Sequence, residues 1–290
     1  MKRRLFLGCL AALAGVLIAT VGCKSFSRGP KKILVVTTTT GFRHSSIETA
    51  EKVIAEVGKS SGVYDIEVAS VTPPKNPGNA ATDEQKAAFK AAQAGYQEKI
   101  KAVLAEKMSP AALKKYDGII FANTTGDLPL PDKDAFIAWV KNGGAFVGMH
   151  SASDTFHGFP PYIEMLGGEF QGHGAQAIVS AINKDSSHPG TSHFGAAFDI
   201  GGKKEEIYLF KNYQQKAIRE LLVLNKHPNS GVAGNFGVAW CREYGKGKVF
   251  YTSLGHNEYV WEMAEYQKHI LGGIEWALGL KKGSAEPQAK

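Results

Sequence analysis

Gly143-Gly144-Ala145-Phe146-Val147-Gly148-Met149-His150-Ser151-Ala152-Ser153-Asp154 reads as a turn, a strand and a second turn within twelve residues. The paired glycines end a helical pattern, and Ala145 to Met149 form a continuous apolar run. Such a run marks a strand buried on both faces, as in a parallel sheet. Where the run stops, a histidine appears among serines. Two other segments repeat the theme. The apolar run 33–36 leads into Thr37-Thr38-Thr39-Thr40-Gly41-Phe42-Arg43-His44, and the strand-like 248–250 leads into Tyr251-Thr252-Ser253-Leu254-Gly255-His256-Asn257. The carboxyl ends of parallel strands form the ligand crevice of an open α/β sheet. A polar, histidine-bearing rim at several strand ends is therefore expected to be a site.

The remaining segments fit this architecture. A helix capped by Ser45 or Ser46 runs to about Gly58, with Ile47, Ala50, Val53, Ile54 and Val57 on one face, and 64–68 alternates like a second strand. This βαβ opening implies a parallel sheet. Residues 72–78 are a Pro-rich loop, and 82–107 read as a long surface helix, solvated or lid-like, with Thr82 and Gln85 placed for a capping box. Segment 116–122 is the third buried strand, Pro131 and Asp132 open a helix to Val140, and 160–166 form a short helix. Residues 177–182, 206–210, 220–224, 237–243 and 248–252 read as further strands, and 258–278 as one final helix. The expected fold class is α/β, a mainly parallel flavodoxin-like sheet with helices on both faces and additional strands in the C-terminal half.

The chain has 290 residues, 43% hydrophobic and 21% charged, which permits one large domain with a covered core. Lys2, Arg3 and Arg4 precede an apolar run to Val21, the pattern of an export signal. A membrane-anchor helix competes, but the run is short and rich in Ala and Gly. Thr20-Val21-Gly22-Cys23 resembles a bacterial lipoprotein cleavage box, although Thr20 stands where Leu is usual. The segments are then a signal over 1–22, a tether over 23–31, a domain over 32–280 and a disordered tail over 281–290. Cys23 becomes the lipidated first residue of an exported periplasmic or cell-surface lipoprotein, held at the membrane only through its lipid. The net charge of +7 includes three leader cations, leaving +4 on the mature chain, too weak and dispersed to imply nucleic acid. Cys9 and Cys23 lie in the leader region, and Cys241 is alone in an expected strand, so no disulfide is expected.

With these segments laid out, the chain resembles the trehalose-utilization (ThuA-like) family. The matching pieces are Gly41-Phe42-Arg43-His44, Tyr116-Asp117, the stretch from Gly143 through Thr155, Leu166-Gly167-Gly168-Glu169-Phe170, His188-Pro189, Glu206-Ile207-Tyr208 and the stretch from Trp240 through His256. They run in the family's order. The resemblance implies a fold like class I glutamine amidotransferases. In those enzymes a nucleophilic Cys follows Gly-Gly-x-x-x-Gly-x at a strand-to-helix elbow; here the corresponding residue is His150, so thioester chemistry is excluded. A His-Pro often follows the family's Leu-Gly-Gly segment, whereas this chain has His173-Gly174. The resemblance also implies carbohydrate catabolism, on sugars first oxidised at carbon 3 by a partner dehydrogenase.

The residues at the strand ends suit that chemistry. His44, His150 and His256, with Asp154, are the candidate acid–base groups. Arg43, Thr124, Ser151 and Asn257 are candidates to hold the sugar. Glu169 and His173 are four apart, a spacing that suits two ligands on a helix face, but Gly172 and Gly174 favour a loop. With His150, His157 and His256 in reach, a divalent metal such as zinc is one reading and a hydrogen-bonded cluster for sugar hydroxyls the other. As rim residues, the catalytic histidines are expected to contribute little to stability. His188, His193, His227 and His269 read as loop or helix-surface residues, and the four tryptophans as core. The favoured function is a lyase or hydrolase acting on 3-keto-glycosides. The alternatives are a non-catalytic, surface-anchored sugar-binding protein and a hydrolase using Ser151, which lacks a Gly-x-Ser-x-Gly elbow.

Overall fold

The computed structural model describes residues 29–288. The segment expected to be an export signal, and Cys23, lie outside the described residues, and no helix among those described is long and apolar enough to cross a membrane.

The chain begins β1 (Lys31–Val36), α1 (Ile47–Ser61), β2 (Tyr64–Ala69), α2 (Asp83–Lys107), α3 (Pro110–Leu113), β3 (Gly118–Ala122), α4 (Lys133–Lys141) and β4 (Ala145–Met149). A single 3-10 turn (His150–Asp154) leads to α5 (Pro160–Leu166). Then come β5 (Glu169–His173), β6 (Ser180–Asn183), β7 (Ala197–Asp199), β8 (Tyr208–Lys211), β9 (Arg219–Lys226), β10 (Ala233–Tyr244) and β11 (Gly247–Thr252). Two helices, α6 (Glu258–Glu262) and α7 (Ala264–Ala277), complete the chain.

Nine strands form one sheet in the order β2-β1-β3-β4-β11-β10-β9-β6-β7. The first five are parallel, in the doubly wound flavodoxin order. The fifth parallel strand is β11, so the whole segment from β5 to β10 interrupts the parallel series. Its strands β10, β9, β6 and β7 extend the sheet antiparallel, while β5 and β8 pair as a separate two-stranded ribbon.

Strand alternation divides the core between two faces. Ile33 and Val35 point to one side with α1, α6 and α7, where Ile54, Trp261, Ile270 and Ile274 pack. Leu34 and Val36 point to the other with α2 to α5, where Ile100, Leu104, Phe136 and Leu166 pack. The long α2 is largely exposed, starts at the Thr82–Gln85 capping box and buries only Tyr96, Ile100 and Leu104.

Three expectations change. The final helix breaks at Met263, whose backbone is extended; the break lets the Trp261 indole and the Tyr266 hydroxyl donate to the carbonyls of Gly255 and Leu254. His188 and His269 are fully buried rather than on the surface, His269 donating from Nδ1 to the Gly190 carbonyl at 2.6 Å. The tail to Gln288 is tied to the domain. Gln288 bonds both backbone groups of Glu220, and Arg219 donates to the Glu286 carbonyl.

Register places the site. Val36 pairs with Phe121, Ala122 with Met149 and Met149 with Thr252, so β1, β3, β4 and β11 end level with one another. The residues that follow, Thr37, Asn123, His150 and Ser253, share one edge of the sheet.

Candidate functional site

His150 stands at the elbow after β4 with φ +49°, a left-handed conformation that is uncommon outside glycine. Its neighbours hold it there. The Tyr251 hydroxyl donates to the His150 carbonyl at 2.7 Å, and the Tyr162 hydroxyl donates to the Ala152 carbonyl at 2.8 Å. Gly148 lets the turn fold back closely, since a Cβ there would lie 3.0–3.3 Å from Tyr251, Leu166 and Ala152.

The His150 Nδ1–H donates to the Ser253 carbonyl at 2.8 Å. In the neutral ring this leaves Nε2 with its lone pair. That lone pair faces His44 Nε2 at 3.1 Å and the Tyr208 hydroxyl at 3.0 Å. His44 reaches the cluster from the loop after β1, with Nδ1 3.3 Å from Ser151 Oγ. The His256 ring lies 5.3 Å from the His44 ring and 5.4 Å from that of His150, centroid to centroid.

Glu206 completes the group. One of its oxygens, Oε1, stands 3.3 Å from His256 Nδ1 and 3.7 Å from His150 Nε2; the other is 3.2 Å from His173 Nδ1. Its neighbour Glu205 turns the other way and fixes the β11 loop, accepting from the backbone N–H of Gly255 and His256 and from Asn257 Nδ2. Burial pushes the Glu205 carboxyl above its usual range despite those bonds.

Electrostatics separates the three imidazoles. Burial, then the proximity of His256, holds His44 down from 6.5 to about 4. Burial and the adjacent His44 hold His150 well below 6.5. Burial also works against charge on His256, but the Glu206 carboxylate overrides it and raises His256 above 6.5. Burial would raise Glu206, yet the facing imidazoles, His256 first, hold it below the usual carboxylate value. Near neutral pH the cluster thus combines neutral imidazoles, one imidazole that favours its proton, and a carboxylate.

His44, His150, Glu206 and His256 could hold a metal ion, their ligand atoms all lying within 4.8 Å of one another. Zinc–nitrogen bonds of ~2.0–2.1 Å put neighbouring ligands of a tetrahedral shell about 3.3 Å apart; the His44–His150, His256–Glu206 and His150–Glu206 spacings of 3.1, 3.3 and 3.7 Å approach this, and the wider pairs, up to 4.8 Å, would draw in around an ion. His256 Nδ1 is buried with no aligned hydrogen-bond partner, as a ligand nitrogen would be. The donor set of three imidazoles and a carboxylate suits zinc.

The other candidates are distributed around this centre. Arg43 donates to Glu48 at 2.8 Å, leaving a buried Nη1 unpartnered. Thr124 is buried and shares a 2.7 Å hydrogen bond with Thr155. Asn257 braces Glu205. Asp154 does not turn toward the imidazole cluster: it accepts from His157 Nε2 at 2.5 Å, and Glu169 lies 2.6 Å from the other nitrogen of that ring. Glu169, His173 and His157 therefore do not form one metal-binding set. Glu169 is occupied by His157, Lys211 and Asn212, whereas His173 faces Glu206. Glu169 and His173 sit in strand β5, not in a loop, with a register shift at Gly172. Glu206 and Tyr208 are the additions that sequence reasoning missed. Their signal was present in Glu206-Ile207-Tyr208, but nothing local showed that this segment returns to the β4 edge.

The sequence model of the family described as trehalose utilisation (ThuA) matches residues 32–277. The chain belongs to that family. Among solved structures, a ThuA-like protein from Parabacteroides merdae has a TM-score of 0.63 at 18% identity, covering 86% of this chain and 90% of that one. A second, from Bacteroides uniformis, has a TM-score of 0.62 at 19% identity, covering 90% and 97%. At such identities these similarities establish a shared fold. No curated protein matches the chain at a significant level. Family membership supports a role for the ThuA-like chain in carbohydrate utilisation.

Proposed function

We propose that this ThuA-like protein cleaves 3-keto-glycosides by proton transfer at the His44–His150–His256–Glu206 centre. The observation that carries this reading is the convergence of two neutral, facing imidazoles, His44 and His150 at 3.1 Å, with a third, His256, that lies 3.3 Å from the Glu206 carboxylate. Groups whose environments push their pKa values apart supply the acid and the base of a reaction. A 3-keto group acidifies the C2–H bond. A neutral imidazole of the His44–His150 pair takes that proton, and the C2–H electrons form the enolate. The enolate re-forms the carbonyl while a C2=C1 bond develops and the C1–O bond breaks. The departing glycosidic oxygen takes its proton from His256, which Glu206 keeps charged. Tyr208 faces the base and orients its lone pair. With His256 deprotonated, the same four side chains would instead hold a divalent metal in place of the shared protons, and that ion would supply Lewis-acid polarisation of the keto oxygen rather than proton transfer by its own ligands. A dehydrogenase oxidising carbon 3 would supply the substrate, and lipidation at Cys23 would place the reaction outside the cytoplasm.

The test is incubation with 3-keto-trehalose in deuterated water. Cleavage with solvent deuterium entering C2 of recovered substrate supports the reading. Cleavage without exchange, abolished by Ser151→Ala, replaces it with a serine hydrolase. That second reading rests on the 3.3 Å approach of Ser151 Oγ to His44 Nδ1. Against it, the far nitrogen of His44 faces His150 rather than an orienting carboxylate. Sugar binding without turnover would favour a binding protein.

A further inference from the structure

Phe42 is 66% exposed and is the one aromatic among the large apolar side chains left in solvent within the described residues. A lone exposed apolar residue is ordinary on a protein surface. Phe42 differs in what it touches: its ring meets His44 edge-to-face, with centroids 4.8 Å apart and planes at 81°.

The backbone beneath it is locked. The Thr125 hydroxyl donates to the Phe42 carbonyl at 2.6 Å, and Thr40 N–H donates to the Thr125 carbonyl at 3.0 Å. The two loops lie so close that a Cβ at Gly126, where φ is +79°, would come within 2.5 Å of Thr40 Oγ1 and 2.8 Å of Gly41 N. The backbone that carries the ring is thus anchored, and an apolar ring stands in water beside a site imidazole. Hydrophobic burial would draw it inward, and here the anchored loop prevents that. Burying it on a ligand would release the same free energy without further ordering of the chain.

We infer that Phe42 is the stacking platform of the site, taking the C–H face of a pyranose ring while its polar edge faces the histidines. The inference rests on the proposed sugar chemistry for its ligand class and narrows that class to cyclic sugars. An open-chain sugar offers no flat C–H face. Neighbouring Arg43 is drawn aside by Glu48 and does not add a cation over the ring.

Two variants test this, each checked for an unchanged melting temperature. Phe42→Ala should raise KM for 3-keto-trehalose by roughly tenfold, with kcat within about threefold, and Phe42→Trp should restore it. Emission of Phe42→Trp, after subtraction of the wild-type signal, should shift to shorter wavelength on titration with trehalose or its 3-keto form. Trp240, Trp261 and Trp276 are fully buried, and the half-buried Trp139 is removed by the wild-type subtraction, so the new indole is distinguishable. An unchanged KM in Phe42→Ala, or emission indifferent to sugar, overturns the platform. If the wild type turns over no 3-keto-glycoside but the new indole still responds to sugar, the reaction fails and the platform stands. If turnover is normal and both variants match the wild type, the reaction stands and the platform fails.

Discussion

His44 Nε2 and His150 Nε2 face each other at 3.1 Å although 106 residues separate them in the chain. Because His150 donates its Nδ1 proton to the Ser253 carbonyl, its Nε2 carries a lone pair. A neutral His44 can meet that lone pair with its own Nε2–H, which leaves its Nδ1 to accept from the Ser151 hydroxyl at 3.3 Å. The pair is therefore joined by one hydrogen bond between neutral rings, and a cation entering the site would take the place of that shared proton.

His150 is the position where loss should be largest. His150→Asn keeps a side chain that tolerates the left-handed backbone and removes the Nε2 lone pair. Turnover of a 3-keto-glycoside should fall by roughly 10²–10⁴, the contribution of a positioned acid or base, with the circular dichroism spectrum retained. His150→Ala should in addition cost about 1–3 kcal/mol, because it strands the buried Ser253 carbonyl and Tyr208 hydroxyl. Burial thus runs against the expectation that these histidines, as rim residues, contribute little to stability: His150 is 0% and His44 5% exposed. Retained activity in the Asn variant would remove His150 from the mechanism.

Two histidines give opposite pH dependence. His44 is held at about 4 in the fold against about 6.5 unfolded. Between these values the unfolded chain binds the proton that the folded chain refuses, so stability falls as pH drops from about 6.5 toward 4. His157 is raised above 6.5: burial opposes its charge, and Asp154 and Glu169 override that. Its contribution is full below about 6.5 and fades as pH rises through the folded value. Urea midpoints across pH should therefore show a shallower acid loss in His44→Gln than in wild type. His157→Gln should be destabilising at pH 5.5 and nearly silent at pH 9. A deficit in His157→Gln that grows with pH would reverse the assignment.

The legible part of this protein is the part in which short-range sequence and long-range structure coincide. Strands β1, β3 and β4 are apolar on both faces because helices cover both, so each carries an unbroken apolar run, and β11 carries the shorter Val249-Phe250-Tyr251. His150 follows β4 directly, His44 and His256 lie in the loops that follow β1 and β11, and a strand end has one place to go in a parallel sheet. Glu206, Tyr208 and His173 come from the antiparallel insertion. Their return to the β4 edge depends on the β5–β8 ribbon packing beside the 3-10 turn, which no local periodicity encodes. Asp154 was misplaced for the converse reason. Phe156, at φ +58°, turns His157 back onto it, a three-residue detail that composition does not show.

Processing at Cys23 is a separate prediction. Gly22-Cys23 follows an apolar run that ends at Val21. Mass spectrometry of the protein made in a bacterium with lipoprotein machinery should find a diacylated Cys23 as the first residue. A mature N-terminus elsewhere, or an unmodified Cys23, rules out the anchor.

Metal content supplies the last prediction, and Glu206 is the residue that makes it specific. Its carboxylate is the sole acidic member of the cluster, so it supplies the one formal negative charge that would balance a bound dication. Purified full-length protein, dialysed and analysed by elemental mass spectrometry, should carry close to one divalent ion per chain, and chelation should remove it. Glu206→Gln preserves the shape and removes the charge. It should weaken binding at least tenfold, and it should also return the His256 pKa toward 6.5, since Glu206 is what raises it. These two effects are separable by NMR titration of the chelated protein, where only the imidazole shift remains. Should the wild type hold no metal while Glu206→Gln still lowers both the His256 pKa and turnover, the carboxylate serves proton transfer alone. Should Glu206→Gln change neither metal content, nor His256, nor turnover, the grouping of Glu206 with the three histidines has no functional meaning.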